Sequence, residues 1–317
     1  MGRQAREKRQ RHERARLTPS PPTSWHLGQR LASWLWGPAP IARLAAIRIL
    51  VPLAILGFLS SRLVHADDWI GSAGFHVPNV GGGDYRQPLY LPALPNGVAW
   101  TLAGLALVSG MALSAGAFTR VANPLFAALL VYFALADRLA AFTVSKLGAA
   151  LVVALAFTPS AARASLDALR FRRANPDTPP PTEVTGGNVR FFQLTLAVMY
   201  AGTGVSKLLG DWLTRSDVIY TNLHDSYQTT FSYLLAAHVP GWAWTAFQWL
   251  VLTLETGAPL WLALPFTRRP AVALLLGMHA IIGLGFGPVI WFALLMASLL
   301  LACFAPRHWL ERALRIS

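Results

Sequence analysis

The sequence predicts an all-α fold: a polytopic membrane helix bundle of about eight transmembrane helices, with both termini cytoplasmic. Three observations carry that prediction. Hydrophobic residues make up 54% of the 317 residues and charged residues only 13%, where soluble domains carry about 25% charged residues. The apolar residues gather into runs, each near the roughly 20 residues that cross a bilayer as a helix. The arginines then sort by side. With the amino terminus inside, the inner loops hold Arg120, Arg163, Arg170, Arg172, Arg173, Arg190, Arg268 and Arg269, while the outer loops hold only Arg62, Arg86, Arg138, Lys146 and Arg215. That asymmetry is the positive-inside rule, and dropping one helix scrambles it.

In chain order, residues 1–24 are Arg-rich and then Pro/Ser-rich. They read as a disordered basic cytoplasmic tail. No apolar core follows closely enough for a cleaved signal peptide. Residues 25–306 form the expected transmembrane helical domain, and residues 307–317 a second cytoplasmic tail. The stretch Ser24–Trp36 reads as a short interfacial helix with tryptophan at headgroup level. The apolar runs follow at 41–61, 97–117, 121–141, 145–160, 190–209, 243–264, 271–287 and 289–304. Between the last two stands only Gly285-Phe286-Gly287-Pro288, a turn signal; one kinked helix is the competing reading. The inner loop 161–189 contains Asn175-Pro176-Asp177-Thr178-Pro179-Pro180-Pro181, a stiff polar linker between two helical halves. The outer segments 62–96 and 210–242 are the two long ones, suited to capping a cavity that opens outward.

Composition also excludes. A net charge of +13 invites a nucleic-acid reading, but the basic residues lie in Arg3–Arg16 and in short loops between apolar runs. Such a tail attracts anionic membrane lipid, and no nucleic-acid partner is expected. The single cysteine, Cys303, rules out an internal disulfide or a Cys-x-x-Cys redox pair. His224, His238 and His279 lack metal-ligand spacing, so no metal is expected. The run Gly81-Gly82-Gly83 lacks the Lys-Ser/Thr of a phosphate loop.

Titratable groups inside spans are functional candidates by default. Lys207 is the only charged residue from Phe191 to Leu209, and a lysine at mid-depth costs roughly 2.5–3.5 kcal/mol. It either snorkels to the interface, which Asp211 and Trp212 mark, or is desolvated into a neutral amine able to act as a general base. Small residues at Gly202, Gly204 and Ser206 let a helix or ligand approach. Glu255 and His279 fall at similar depth on consecutive antiparallel helices. They can meet, either as a proton relay or as mutual satisfaction of two buried polar groups. Arg48, a third of the way along the first helix, pairs with a carboxylate, reaches lipid headgroups, or binds substrate.

Tyr200, Gly204-Val205, Lys207-Leu208 and Asp211-Trp212, at these spacings, resemble the signature helix of the vitamin K-dependent gamma-carboxylase-like membrane proteins. These are also called the horizontally transferred transmembrane domain family. The resemblance runs from about Arg43 to Phe304. An arginine like Arg48, and an Arg-Pro step followed by a histidine like Arg269-Pro270 and His279, belong to the same pattern. The resemblance implies a general base at Lys207, supported by Glu255 and His279, and a substrate-binding surface from Arg48, Tyr200, Gly204, Asp211 and Trp212. It implies a reduced, vitamin K-like quinone as cofactor. The family's further catalytic histidine has no counterpart in Phe142-Thr143-Val144-Ser145-Lys146, and no lumenal domain follows the last run, so glutamate carboxylation is not expected.

Two functions stand side by side. The first is an enzyme using Lys207 on a lipophilic, quinone-like or peptide substrate in an outward-facing pocket. The second is a non-enzymatic membrane partner in the maturation or export of a secreted peptide. A transporter ranks last, because the Gly/Pro breaks at Gly257-Ala258-Pro259 and Gly287-Pro288 do not match across the halves. The expected location is a bacterial cell membrane, with the chain passing through it many times.

Overall fold

In hydrocarbon, the backbone of an isolated segment satisfies its own hydrogen bonds only as a helix. The computed structural model describes residues 23–74, 91–136, 143–224 and 228–315, and helices stand where the apolar runs lie. In chain order the principal helices are α1 (Ile41–Leu63), α2 (Asn96–Ala115), α3 (Thr119–Ala136), α4 (Thr143–Ala156), α5 (Gly187–Leu209), α6 (Gly241–Ala263), α7 (Pro265–Gly285) and α8 (Ile290–Phe304). By length and composition, α1, α2, α3 and the segment Gly287–Phe304 qualify as membrane spans, and α4 is a shorter apolar helix. Helices α5, α6 and α7 are as long, but polar residues such as Gln193, Lys207, Gln248, Glu255 and Arg269 dilute them.

The halves meet along two helices. α1 lies against α2, α4, α5 and α8, and α8 lies against α1, α4, α5 and α7. Around them, α2–α3–α4 and α5–α6–α7 each pack neighbour to neighbour. α1 is central because most of its surface is apolar and buried: Ile41, Leu44, Ile47, Val51, Ile55 and Leu59 are all buried. The segment 286–289 is a true turn. Helix α7 ends at Gly285, a single 3-10 turn covers Gly287–Val289, and α8 folds back along α7. The kinked-helix alternative therefore falls.

Three elements depart from the sequence reading. Pro38–Pro40 and Glu183–Thr185 form a two-stranded antiparallel ladder, with Ala39 opposite Val184. It fastens the start of α1 to the end of the proline-rich linker, a long-range pairing that no local pattern announces. The segment Arg307–Ala313, within the expected cytoplasmic tail, is a helix packed on α1, with Leu310 buried. The linker itself opens on a helix, Leu166–Ala174, whose N-cap Ser165 accepts from the Ala168 amide. A helix spans Thr23–Trp36, where the interfacial helix is expected. The tail reading of residues 1–22 and the run Gly81-Gly82-Gly83 lie outside the described residues.

Candidate functional site

Tyr200, Gly204 and Lys207 sit at i, i+4 and i+7 on α5, and so share one face. That face meets α6. A Cβ on Gly204 would stand 2.6 Å from the Thr256 amide nitrogen, so only glycine allows the two backbones to come this close. The close approach carries the next turn of α5 to Glu255. Lys207 Nζ forms an ion pair and a hydrogen bond with Glu255 Oε2. The lysine side chain is 21% exposed and the glutamate 8%. The ammonium also stands 5.0 Å from the centroid of the Trp212 ring, a cation–π contact of about 0.5–2 kcal/mol.

One turn deeper, the Tyr200 hydroxyl and His279 Nε2 of α7 share a hydrogen bond of 2.7 Å. Both residues are buried, and Phe292 of α8 closes over the imidazole edge. His279 Nδ1 is buried without a hydrogen-bond partner among the described residues. The expected Glu255–His279 pair is thus replaced by two couples, Lys207–Glu255 and Tyr200–His279. Similar depth did not decide the partners; rotation about the helix axes did.

The HTTM domain, which is the domain of the vitamin K-dependent gamma-carboxylase-like membrane proteins, matches residues 36–309. The chain belongs to the HTTM-domain family. No curated protein and no solved structure matches it. The HTTM match spans all eight principal helices and both couples just described. This HTTM chain is a multi-pass membrane protein.

Sequence reasoning missed the residue that seats Trp212 in this HTTM site. Gln248 of α6 is buried. Its Nε2 donates to the carbonyls of Trp212 at 2.9 Å and Arg215 at 2.6 Å, and its Oε1 accepts from the Val218 amide at 3.1 Å. One amide side chain therefore pins the segment after α5 against α6 and holds the indole beside Lys207. The available signal was a lone glutamine in the run Phe247-Gln248-Trp249-Leu250. Asp211, placed at the site by resemblance, turns the other way. It pairs with Arg215 at 3.5 Å, and Arg215 also pairs with Asp217 at 3.0 Å, all three on the surface. The hydrogen bond from Arg215 holds the Asp217 carboxyl below its ordinary range.

Arg48 lies elsewhere. It is fully buried, and among the described residues its guanidinium donates only to backbone carbonyls: Ser160 at 3.1 Å, Leu113 at 3.0 Å, Ser114 at 2.8 Å, and Ala164. Leu113 and Ser114 belong to the last turn of α2, whose carbonyls have no partner within the helix and form the negative end of its dipole. Gly116, at φ +67°, ends that helix; a Cβ there would stand 2.4 Å from an Arg48 nitrogen. Arg48 therefore clasps α1, α2 and the loop after α4. Among the described residues no carboxylate contacts it, Asp167 acting on it only through its charge. Its full burial keeps it from lipid headgroups, and it takes no part in the Lys207–Glu255 couple.

Proposed function

We propose that this HTTM protein uses Lys207 as a general base on a lipophilic, hydroxyl-bearing substrate, with a reduced, vitamin K-like quinone as the chemical model, in an outward-facing pocket of a bacterial cell membrane. One observation carries the reading. A lysine in an otherwise apolar helix meets a buried carboxylate and an indole face instead of extending into bulk water. Such a pair can pass a proton: Lys207 hands its proton to Glu255 as it takes one from the substrate hydroxyl. The proton ends on the Glu255 carboxyl, and the Lys207 ammonium stays beside the new oxyanion, so the charges balance. A reduced quinone supplies the acidic aromatic hydroxyl. The donor set fits it, with an amine for that hydroxyl, the Trp212 face for an aromatic ring, and exposed Val205 and Leu209 offering an apolar approach from lipid. Tyr200–His279 is a second, buried couple on the same α5 face.

The test is a titration of a reduced naphthoquinone into the full-length protein in lipid nanodiscs, under argon. The wild type should produce the ultraviolet band of the deprotonated hydroxyl. Lys207→Ala should lose it while keeping the helical circular-dichroism spectrum. An equal band with Lys207→Ala would refute the base. No band in either would refute the quinone reading and leave the peptide-maturation partner as the surviving expectation.

A further inference from the structure

A cavity of about 620 Å³ lies at the end of the bundle that carries Arg48, far from Lys207. The start of α3, the loop after α4, the helix Leu166–Ala174 and the segment Thr178–Pro181 enclose it. Its lining is mainly apolar, with Val121, Ala162, Ala168, Phe171 and Pro180 contributing. Phe118 and Val121 stand 66% exposed at its rim, and Phe118 holds a left-handed backbone at φ +48°. Leu166 and Leu169 extend the exposed apolar surface along the short helix.

The polar groups in this lining carry one net sign. Asp167 is spent on the protein: it accepts from the Phe118 amide at 2.9 Å, the Thr119 amide at 2.8 Å and the Thr119 hydroxyl at 2.7 Å, and pairs with Arg170 at 3.3 Å. Arg120 and Arg172 also line the cavity, and neither forms an ion pair among the described residues. An apolar cavity with two uncommitted guanidiniums, at the end of membrane helices, has the chemistry of a charged headgroup joined to a hydrocarbon tail.

We propose that this cavity binds an anionic phospholipid, with Arg120 and Arg172 on the phosphate and the acyl chain against Val121, Phe171 and the prolines. Basic pockets between helices at the membrane edge select anionic headgroups, and each arginine near the surface strengthens such binding severalfold. The Arg-rich residues 1–22 are the wrong sign to occupy the site. A soluble phosphate would leave the apolar wall unused.

The test is native mass spectrometry of the full-length, delipidated protein offered equimolar phosphatidylglycerol and phosphatidylcholine. The wild type should retain phosphatidylglycerol roughly tenfold over phosphatidylcholine. Arg120→Ala with Arg172→Ala should fall to near parity with unchanged thermal unfolding, because those side chains form no ion pair among the described residues. Ala168→Trp, which fills the cavity and keeps both arginines, should also lose the adduct. Equal retention of the two lipids by the wild type, or full preference in the double variant, would overturn the proposal. Displacement by excess inorganic phosphate would overturn the lipid in favour of a free anion. If Ala168→Trp does not fold, the double arginine variant decides alone.

Discussion

Arg48 and Lys207 are each a cation set within the apolar stretch of a long helix, and the fold treats them differently. Arg48 meets four neutral carbonyls from two other segments. Its charge completes a helix end, and among the described residues it is hydrogen-bonded to no titratable group. Lys207 meets a carboxylate and an indole face, and keeps a fraction of its surface open. A buried charge in a span marks a need, and only its partners say whether that need is architectural or chemical.

The largest expected effect is at the clasp. Arg48→Leu strips four buried carbonyls of their guanidinium donor. Although Leu113 still accepts from the Gly116 amide at 2.9 Å, each carbonyl left unpaired where water cannot reach costs about 1–3 kcal/mol, so the variant should fail to accumulate or unfold well below the wild type in detergent. Arg48→Lys should rescue little, because an ammonium cannot fork across three segments. If Arg48→Leu unfolds like the wild type, the contrast between the two cations fails.

Next comes the ion pair. Glu255→Ala leaves a partly buried ammonium unpaired and should cost less in chemical unfolding than the ~3–5 kcal/mol of breaking a fully buried pair. The double variant Lys207→Met with Glu255→Leu should recover most of that stability while remaining inactive toward a reduced quinone. Recovery of the fold without the chemistry is what separates this pair from the Arg48 clasp. Gly204→Ala should follow at about 1–3 kcal/mol, since its methyl would press on the Thr256 backbone and loosen the pair.

The smallest effect concerns the cap on α3. Burial pushes the Asp167 carboxyl up, but the hydrogen bonds from Thr119 and Phe118 outweigh it and hold it below the ordinary range. A depressed carboxyl stabilises the fold above its unfolded pKa, about 3.9, and loses that contribution as pH falls through the lower folded value. Asp167→Ala should therefore cost about 0.5–2 kcal/mol at neutral pH. It should also flatten the acid limb of thermal stability below about pH 4.

The helices were legible because apolar runs and arginine placement are local signals. Lys207 was legible too, as a charge its own helix could not explain. Its partner was not. Glu255 and His279 share a depth, and only the α5–α6 approach over Gly204 shows which group each one faces. The role of Arg48 was hidden because its acceptors are backbone atoms shaped by Gly116 and by Ala164 at φ +48°, which no side-chain pattern reveals. Gln248 was hidden among tryptophans, where one polar residue looks like noise.

The most direct measurement is infrared difference spectroscopy of the protein in nanodiscs, before and after binding a reduced naphthoquinone. The account predicts loss of a carboxylate band and gain of a protonated carboxyl stretch in the wild type, with both absent in Glu255→Gln and in Lys207→Ala. A wild-type protein that binds the ligand with its carboxylate bands unchanged would contradict it.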